Sequence, residues 1–254
     1  MPDFLNGFNS QGLIKWGGED STNYGIVVGE SPVFDKPKRK QIVFNVPNRN
    51  GSILFQEDAF EDVIRTYHVW VAEETEEDSG GVLSGTLSER ISDVTAWLNS
   101  KSGYQELEDS FEPDYYRLAY YSGGNEFSDN MLQYGESDLT FTCRPERFLK
   151  AGKTAVTVTN NSTMTNPTKF ASKPLIHIEG SGNVSITFGG QTITADVFDY
   201  INIDCDTMNA YRLTTENRND KITGSFPSLL SGINTIVISG TTTLVTITPR
   251  YFTI

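Results

Sequence analysis

The chain is sparing with the residues from which catalytic and metal centres are built. Its 254 residues include two histidines, His68 and His177, and two cysteines, Cys143 and Cys205. Two cysteines are too few for a disulfide scaffold, and with no readable export signal both are expected as free, buried thiols. The histidines stand in different halves of the chain, so a metal site built on histidine pairs is not expected. No Gly-x-Ser-x-Gly elbow, phosphate-binding glycine loop or His-Glu-x-x-His occurs. Positive charge is scarce as well: 20 Lys and Arg against 33 Asp and Glu leave a net charge of −13. A duplex nucleic-acid partner would need a basic footprint for its phosphates, which argues against one here. No apolar run approaches the roughly 18 residues that span a bilayer, so no membrane partner is expected. The opening Met1-Pro2-Asp3-Phe4-Leu5-Asn6-Gly7 has neither a basic n-region nor an apolar h-region, so no signal peptide is expected.

What the chain does hold is enough to build a core: 15 Phe, 11 Tyr and 37% hydrophobic residues. Its charge is unevenly placed. Residues 1–148 carry 26 acidic and 12 basic groups, whereas residues 149–254 carry 7 and 8. All three tryptophans and the one helical pattern lie in the first part, and the second is rich in Thr, Ser, Asn and Gly around short apolar alternations. Two domains are therefore expected, residues 1–147 and 148–254, with the boundary near Glu146 to Gly152 and Ala151-Gly152-Lys153 as the hinge.

The elements expected are almost all strands. Gln41 to Pro47 and Ser52 to Gln56 flank Asn48-Arg49-Asn50-Gly51, and Asn-Gly favours a turn with positive φ at both central positions. Val63, Arg65, Tyr67, Val69 and Val71 alternate with Ile64, Thr66, His68 and Trp70, which predicts a central or covered strand. Glu73 to Asp78 puts five negative charges in six residues, an exposed loop by self-repulsion. Thr86 to Ser102 is the one helix. Thr86 and Glu89 have capping-box spacing, Leu87, Ile91, Val94 and Leu98 form its apolar stripe with Trp97 on the border, and Gly103 follows. Tyr115 to Tyr121 and Leu139 to Cys143 add strands, with Cys143 on the core face beside Leu139 and Phe141. In the second part, strands are expected at Leu175–Glu179, Asn183–Phe188, Gln191–Val197, Asn234–Ile238 and Thr241–Thr248. Gly189-Gly190 and Ser239-Gly240 read as hairpin connections. Strands of this length and spacing predict an antiparallel β-sandwich.

The remaining enzymatic candidates are carboxylates. Asp204 and Asp206, two apart, would share a strand face, but a turn or strand-end role suits them better than a catalytic pair. The Asp20, Asp58 and Asp62 regions lack calcium-loop spacing. His177, between Ile176 and Ile178, reads as a surface or partly buried structural histidine. No catalytic residue, metal or cofactor is expected.

The combined pattern resembles the distal tail (Dit) proteins of long-tailed phages that infect Gram-positive bacteria. It rests on Phe4-Leu5-Asn6-Gly7, the Asn48-Arg49-Asn50-Gly51 hairpin, the helix from Thr86, and Thr140-Phe141-Thr142-Cys143-Arg144-Pro145. It continues through Asn166-Pro167, Lys173 to Gly180, Tyr200 to Asp204, and Phe226-Pro227-Ser228-Leu229-Leu230-Ser231-Gly232-Ile233-Asn234. The sequence looks close to the version in a Bacillus siphophage. The resemblance implies a mainly β fold: an N-terminal belt domain of sheets plus a helix, and a C-terminal galectin-like antiparallel sandwich. It also implies a structural hub, not an enzyme, at the tail tip of a virion and made in the host cytoplasm. Its partners would be five further copies in a hexameric ring, with two rings possible by stacking, the tail tube protein, and the tail-associated fibre or tip protein. DNA would pass through the channel without specific binding. Arg49 and Arg65 are candidates for pairing with a neighbour's carboxylates. The galectin-like label does not carry sugar binding, because the Trp and His-Asn-Arg set that galectins use has no counterpart in residues 149–254. The competing reading is a carbohydrate-binding adhesin module on the host cell wall.

Overall fold

The computed structural model describes residues 12–33, 35–72, 86–124, 126–130, 134–213 and 215–254. The Phe4-Leu5-Asn6-Gly7 opening and the acidic run from Glu73 to Asp78 lie outside them. The chain divides into two compact units, Met1–Arg147 with Ile254 and Phe148–Thr253.

The first unit comprises β1 (Ile14–Trp16), β2 (Glu19–Asp20), β3 (Ile26–Val28), β4 (Arg39–Asn45), β5 (Ser52–Phe60) and β6 (Val63–Ala72). Helix α1 (Leu87–Asn99) follows, then β7 (Gln105–Asp109), β8 (Tyr115–Tyr121), β9 (Ser128–Asn130) and β10 (Tyr134–Leu149), whose last two residues belong to the second unit. All but β4 and β5 form one sheet, ordered β2-β1-β7-β8-β10-β6-β3, with β9 also on β10. Strand β6 is interior, as its alternation requires: Val63, Arg65, Tyr67, Val69 and Val71 are all buried. Leu139, Phe141 and Cys143 of β10 join the same core.

Helix α1 begins as its sequence predicts. The Glu89 amide donates to Thr86 Oγ1 at 3.4 Å and the Thr86 amide donates to Glu89 Oε2 at 2.8 Å, a reciprocal box that satisfies two otherwise orphaned donors. Its end comes sooner. The helix stops at Asn99 with Ser100 as cap, so Gly103 at φ 72° shapes the following loop and does not close the helix. The buried face is also rotated from the expected stripe: Trp97 is core, stacked on Tyr24 at 4.7 Å, and Ile91 is only half-buried. A large flat ring removes more apolar surface from water than a border position would allow, and the helix turns to bury it.

The second unit comprises β11 (Val156–Thr157), β12 (Ser162–Asn166), β13 (Leu175–Phe188), β14 (Gln191–Asp204), β15 (Asn209–Arg212), β16 (Glu216–Asn217), β17 (Ile222–Gly224), β18 (Gly232–Thr248) and the short β19 (Phe252–Thr253). The order is β11-β18-β13-β14-β15-β16, with β12 also on β18 and β17 also on β14. Three strands are far longer than expected. Leu175–Glu179 and Asn183–Phe188 are one strand, and so are Asn234–Ile238 and Thr241–Thr248. Ser239-Gly240 is therefore a bend within β18, not a hairpin turn, because residues on both sides of it pair with the same β13. The register shifts around Ser181 to Ser185, and Gly240, at φ 107°, lies against the backbone of Asn183. Bulges of this kind let long strands pass from one layer of a sandwich into the other. Each half then meets different neighbours: Ser162–Asn166 lies on residues 232–236 of β18, and Val156–Thr157 on residues 246–247. The inward side chains of both halves, Ile176 and Ile178 with Val184, Ile186 and Phe188, share one core. The Gly189-Gly190 hairpin is present, with φ 57° and 75°.

The expected hinge is not a linker. Lys150–Lys153 form a single 3₁₀ turn, the Gly152 carbonyl accepts the Arg250 amide at 3.0 Å, and a Cβ at Gly152 would meet the Tyr251 amide nitrogen at 2.6 Å. Those contacts fix the segment within the second unit.

Candidate functional site

Among the described residues, strands β4 and β5 pair with each other and with no other strand. The register, Ile42↔Phe55 and Phe44↔Ile53, puts four apolar side chains on one face, with Val43↔Leu54 on the other between polar pairs. Phe44 and Phe55 meet edge to face at 5.8 Å yet remain 53% and 58% exposed. The turn is longer than the Asn-Gly pair suggests. Strand pairing closes at Asn45↔Ser52, leaving a six-residue loop, 46–51, with positive φ at Asn48 and Gly51. A two-stranded ribbon is marginal in water on its own, and this one leaves an apolar face exposed.

Charge sharpens the picture. Residues 36–56 contain Lys36, Lys38, Arg39, Lys40 and Arg49 and no acidic group, whereas the rest of residues 1–148 holds 26 acidic against 7 basic groups. The basic charge gathers on the approach to the ribbon: residues 39–60 themselves carry Arg39, Lys40 and Arg49 against Glu57 and Asp58, and Arg39 pairs with Asp58 at 3.1 Å, so what distinguishes the ribbon is its apolar face. Arg49 sits exposed in the turn at the ribbon's tip.

Arg65 has a different place. Its side chain is 1% exposed and donates to Asp109 at 3.1 Å and to Glu112 at 3.4 Å. Arg117 reaches the same Glu112 oxygen at 3.1 Å, Arg147 takes its other oxygen, and Tyr67 donates to Asp109 at 2.6 Å. Asp109 also accepts the amides of Phe111 and Glu112, closing the turn after β7. Burial works against the Glu112 carboxylate, but Arg117 and Arg147 outweigh it and hold its pKa below the usual value. Burial, reinforced by the Asp109 charge, pushes the Tyr67 phenol well above 10. Arg65 is therefore a core ion-pair residue with partners in its own unit, which corrects its expected role across an interface. Its place on the buried face was readable in the alternation of β6; its carboxylate partners, more than 40 residues away, were not.

The other singled-out residues are structural. Asp204 ends β14, chelated by Arg250 at 2.7 and 3.0 Å and accepting the amides of Asp206 and Thr207. Asp206 lies in the turn with Lys173 at 3.3 Å, so the two carboxylates do not face a common substrate. His177 bridges Asn202 at 2.8 Å and Glu179 at 3.3 Å. His68 lies between Asp138 and Glu136, each at 2.8 Å, and the hydrogen bond that Asp138 accepts from the ring raises its pKa above 6.5. Burial pushes the thiols of Cys143 and Cys205 up to about 11 and about 12, and both are free. Among the described residues, no group of three His, Cys, Asp or Glu is placed to hold a metal ion, and no helix is long and apolar enough to cross a membrane.

Taken together, the chain is a two-unit, mainly β protein with an exposed apolar ribbon. No protein-family model matches it, and no curated protein matches its sequence. Among solved structures it is similar to the SPP1 Dit protein, described as a paradigm of the hub adsorption apparatus in phages infecting Gram-positive bacteria. The TM-score is 0.69 at 15% identity, over 93% of this chain and 98% of that one. The fold is therefore Dit-like along nearly its full length. At 15% identity the likeness is one of fold, and it does not support the expected closeness in sequence to a Bacillus siphophage version.

Proposed function

We propose that this chain is a structural hub of a phage tail tip, present in the virion. The observation that carries the reading is the shared fold with a hub adsorption-apparatus protein across nearly the whole of both chains. In this reading six copies close into a ring through the first unit, with a second stacked ring as the alternative stoichiometry. The ring joins the tail tube to the fibre or tip protein and leaves a channel for DNA. A ring needs a heterologous surface, one patch on each copy fitting a different patch on the next. The β4–β5 ribbon, with its exposed apolar face, supplies a candidate patch. In this reading Arg49, exposed at the ribbon tip, pairs with a neighbour's carboxylate. A negatively charged channel wall would keep DNA from adhering in transit. The role requires no cofactor and no catalysis.

Light scattering coupled to size exclusion tests this. The expected mass is near six or twelve chains of 28.2 kDa, with annular particles in negative stain. A single 28.2 kDa species at micromolar concentration would overturn it.

A further inference from the structure

A hollow on the second unit lies outside anything a hub needs. Where β13 and β14 bend between layers, a cavity of about 400 Å³ opens, lined by Ser181, Asp196, Phe198, Tyr200, Arg218 and Lys221 together with backbone around them. That volume is within the range of small-molecule sites. At its rim the Phe198 side chain is 77% exposed, although burial would favour a ring of this size.

The ring is propped in place. The Arg212 guanidinium lies 5.7 Å from the Phe198 centroid and 5.2 Å from that of Tyr200, and Asp199 anchors it at 2.8 Å. Tyr200 Oη accepts the Leu213 amide at 3.2 Å. Asp199 and Leu213 both hold positive φ, 70° and 56°, a conformation costly for a leucine.

The polar lining decides the ligand class. Arg218 and Lys221 are cations already matched, by Glu216 at 2.6 Å and Asp220 at 3.7 Å, while Asp196 adds an acceptor. There is no surplus positive charge of the kind a phosphate or sulfate site uses. An aromatic face beside paired donors and acceptors suits a molecule with one apolar C–H face and a rim of hydroxyls.

We propose that this hollow binds a neutral saccharide, with one pyranose ring on Phe198 and its hydroxyls to Asp196, Arg218 and Lys221. The site needs no ring assembly and stands or falls apart from the hub reading. The test is saturation-transfer NMR on the full chain with maltose, lactose and chitobiose, and calorimetry with inorganic phosphate. Transfer to at least one sugar is expected. Phe198→Ala and Asp196→Asn should each weaken it about tenfold, and Ile233→Ala, an exposed residue elsewhere on this unit, should leave it unchanged. Circular dichroism confirms that each variant is folded. No transfer to any of the three sugars, transfer that survives Phe198→Ala, or binding of phosphate alone would overturn the proposal.

Discussion

Arg65 and Asp109 face each other at 3.1 Å with side chains 1% and 6% exposed, 44 residues apart in sequence. A charge so deeply placed is tolerable because its partner is equally fixed: Asp109 is held by two backbone amides and by Tyr67. Arg65→Ala should leave Asp109 buried without its cation and cost about 3–5 kcal/mol. Urea unfolding of the full chain checks this, and a loss below about 1 kcal/mol, the scale of an exposed pair, would contradict the geometry.

Asp204 links the stability of the second unit to acid pH. Burial opposes its ionisation, but the Arg250 bonds prevail and lower its pKa below 3.8. A depressed folded-state pKa stabilises above the unfolded value and loses that stabilisation as pH falls through the folded value. The wild-type midpoint should therefore drop as pH falls below 3.8, and Asp204→Asn should flatten that limb while lowering stability at neutral pH. Denaturation across pH 2–7 measures both, and parallel curves would exclude the assignment.

Gly240 is where β18 bends. Its φ is 107°, and a Cβ there would meet the Asn183 carbonyl oxygen at 2.4 Å. Gly240→Ala should cost about 2–3 kcal/mol in thermal or urea unfolding, since strain and clash act together. Gly190→Ala, at φ 75° with open space around it, should cost about 1 kcal/mol or less. Equal losses at the two sites would remove the bend explanation.

The ribbon separates assembly from folding. Phe44→Ser with Phe55→Ser changes two side chains that are mostly exposed in the single chain, so its intrinsic stability should move by about 0.5 kcal/mol or less per site. The scattering mass should nevertheless fall to that of one chain. An unchanged assembly would show that copies join through another surface.

Much of the local structure was legible. The capping box of Thr86 and Glu89, the buried alternation from Val63 to Val71, and the Gly189-Gly190 hairpin depend on a few neighbouring residues, so their residue types suffice. Arg65 was visible as the odd member of an apolar face, without a hint of why a cation belongs there. Ser239-Gly240 misled because a glycine with positive φ serves a turn and a bulge equally well. Only the pairing of both β18 halves with β13 separates the two.

The sequence by itself determined the mainly β character, the single helix and the charge contrast between the two halves of the chain, since periodicity and charge are local sums. Tertiary structure alone decided which strands run on through both layers, which carboxylates neutralise Arg65, and that Phe198 stays at the surface. Each of those depends on partners brought near by chain closure, and distance along the sequence carries no trace of that proximity.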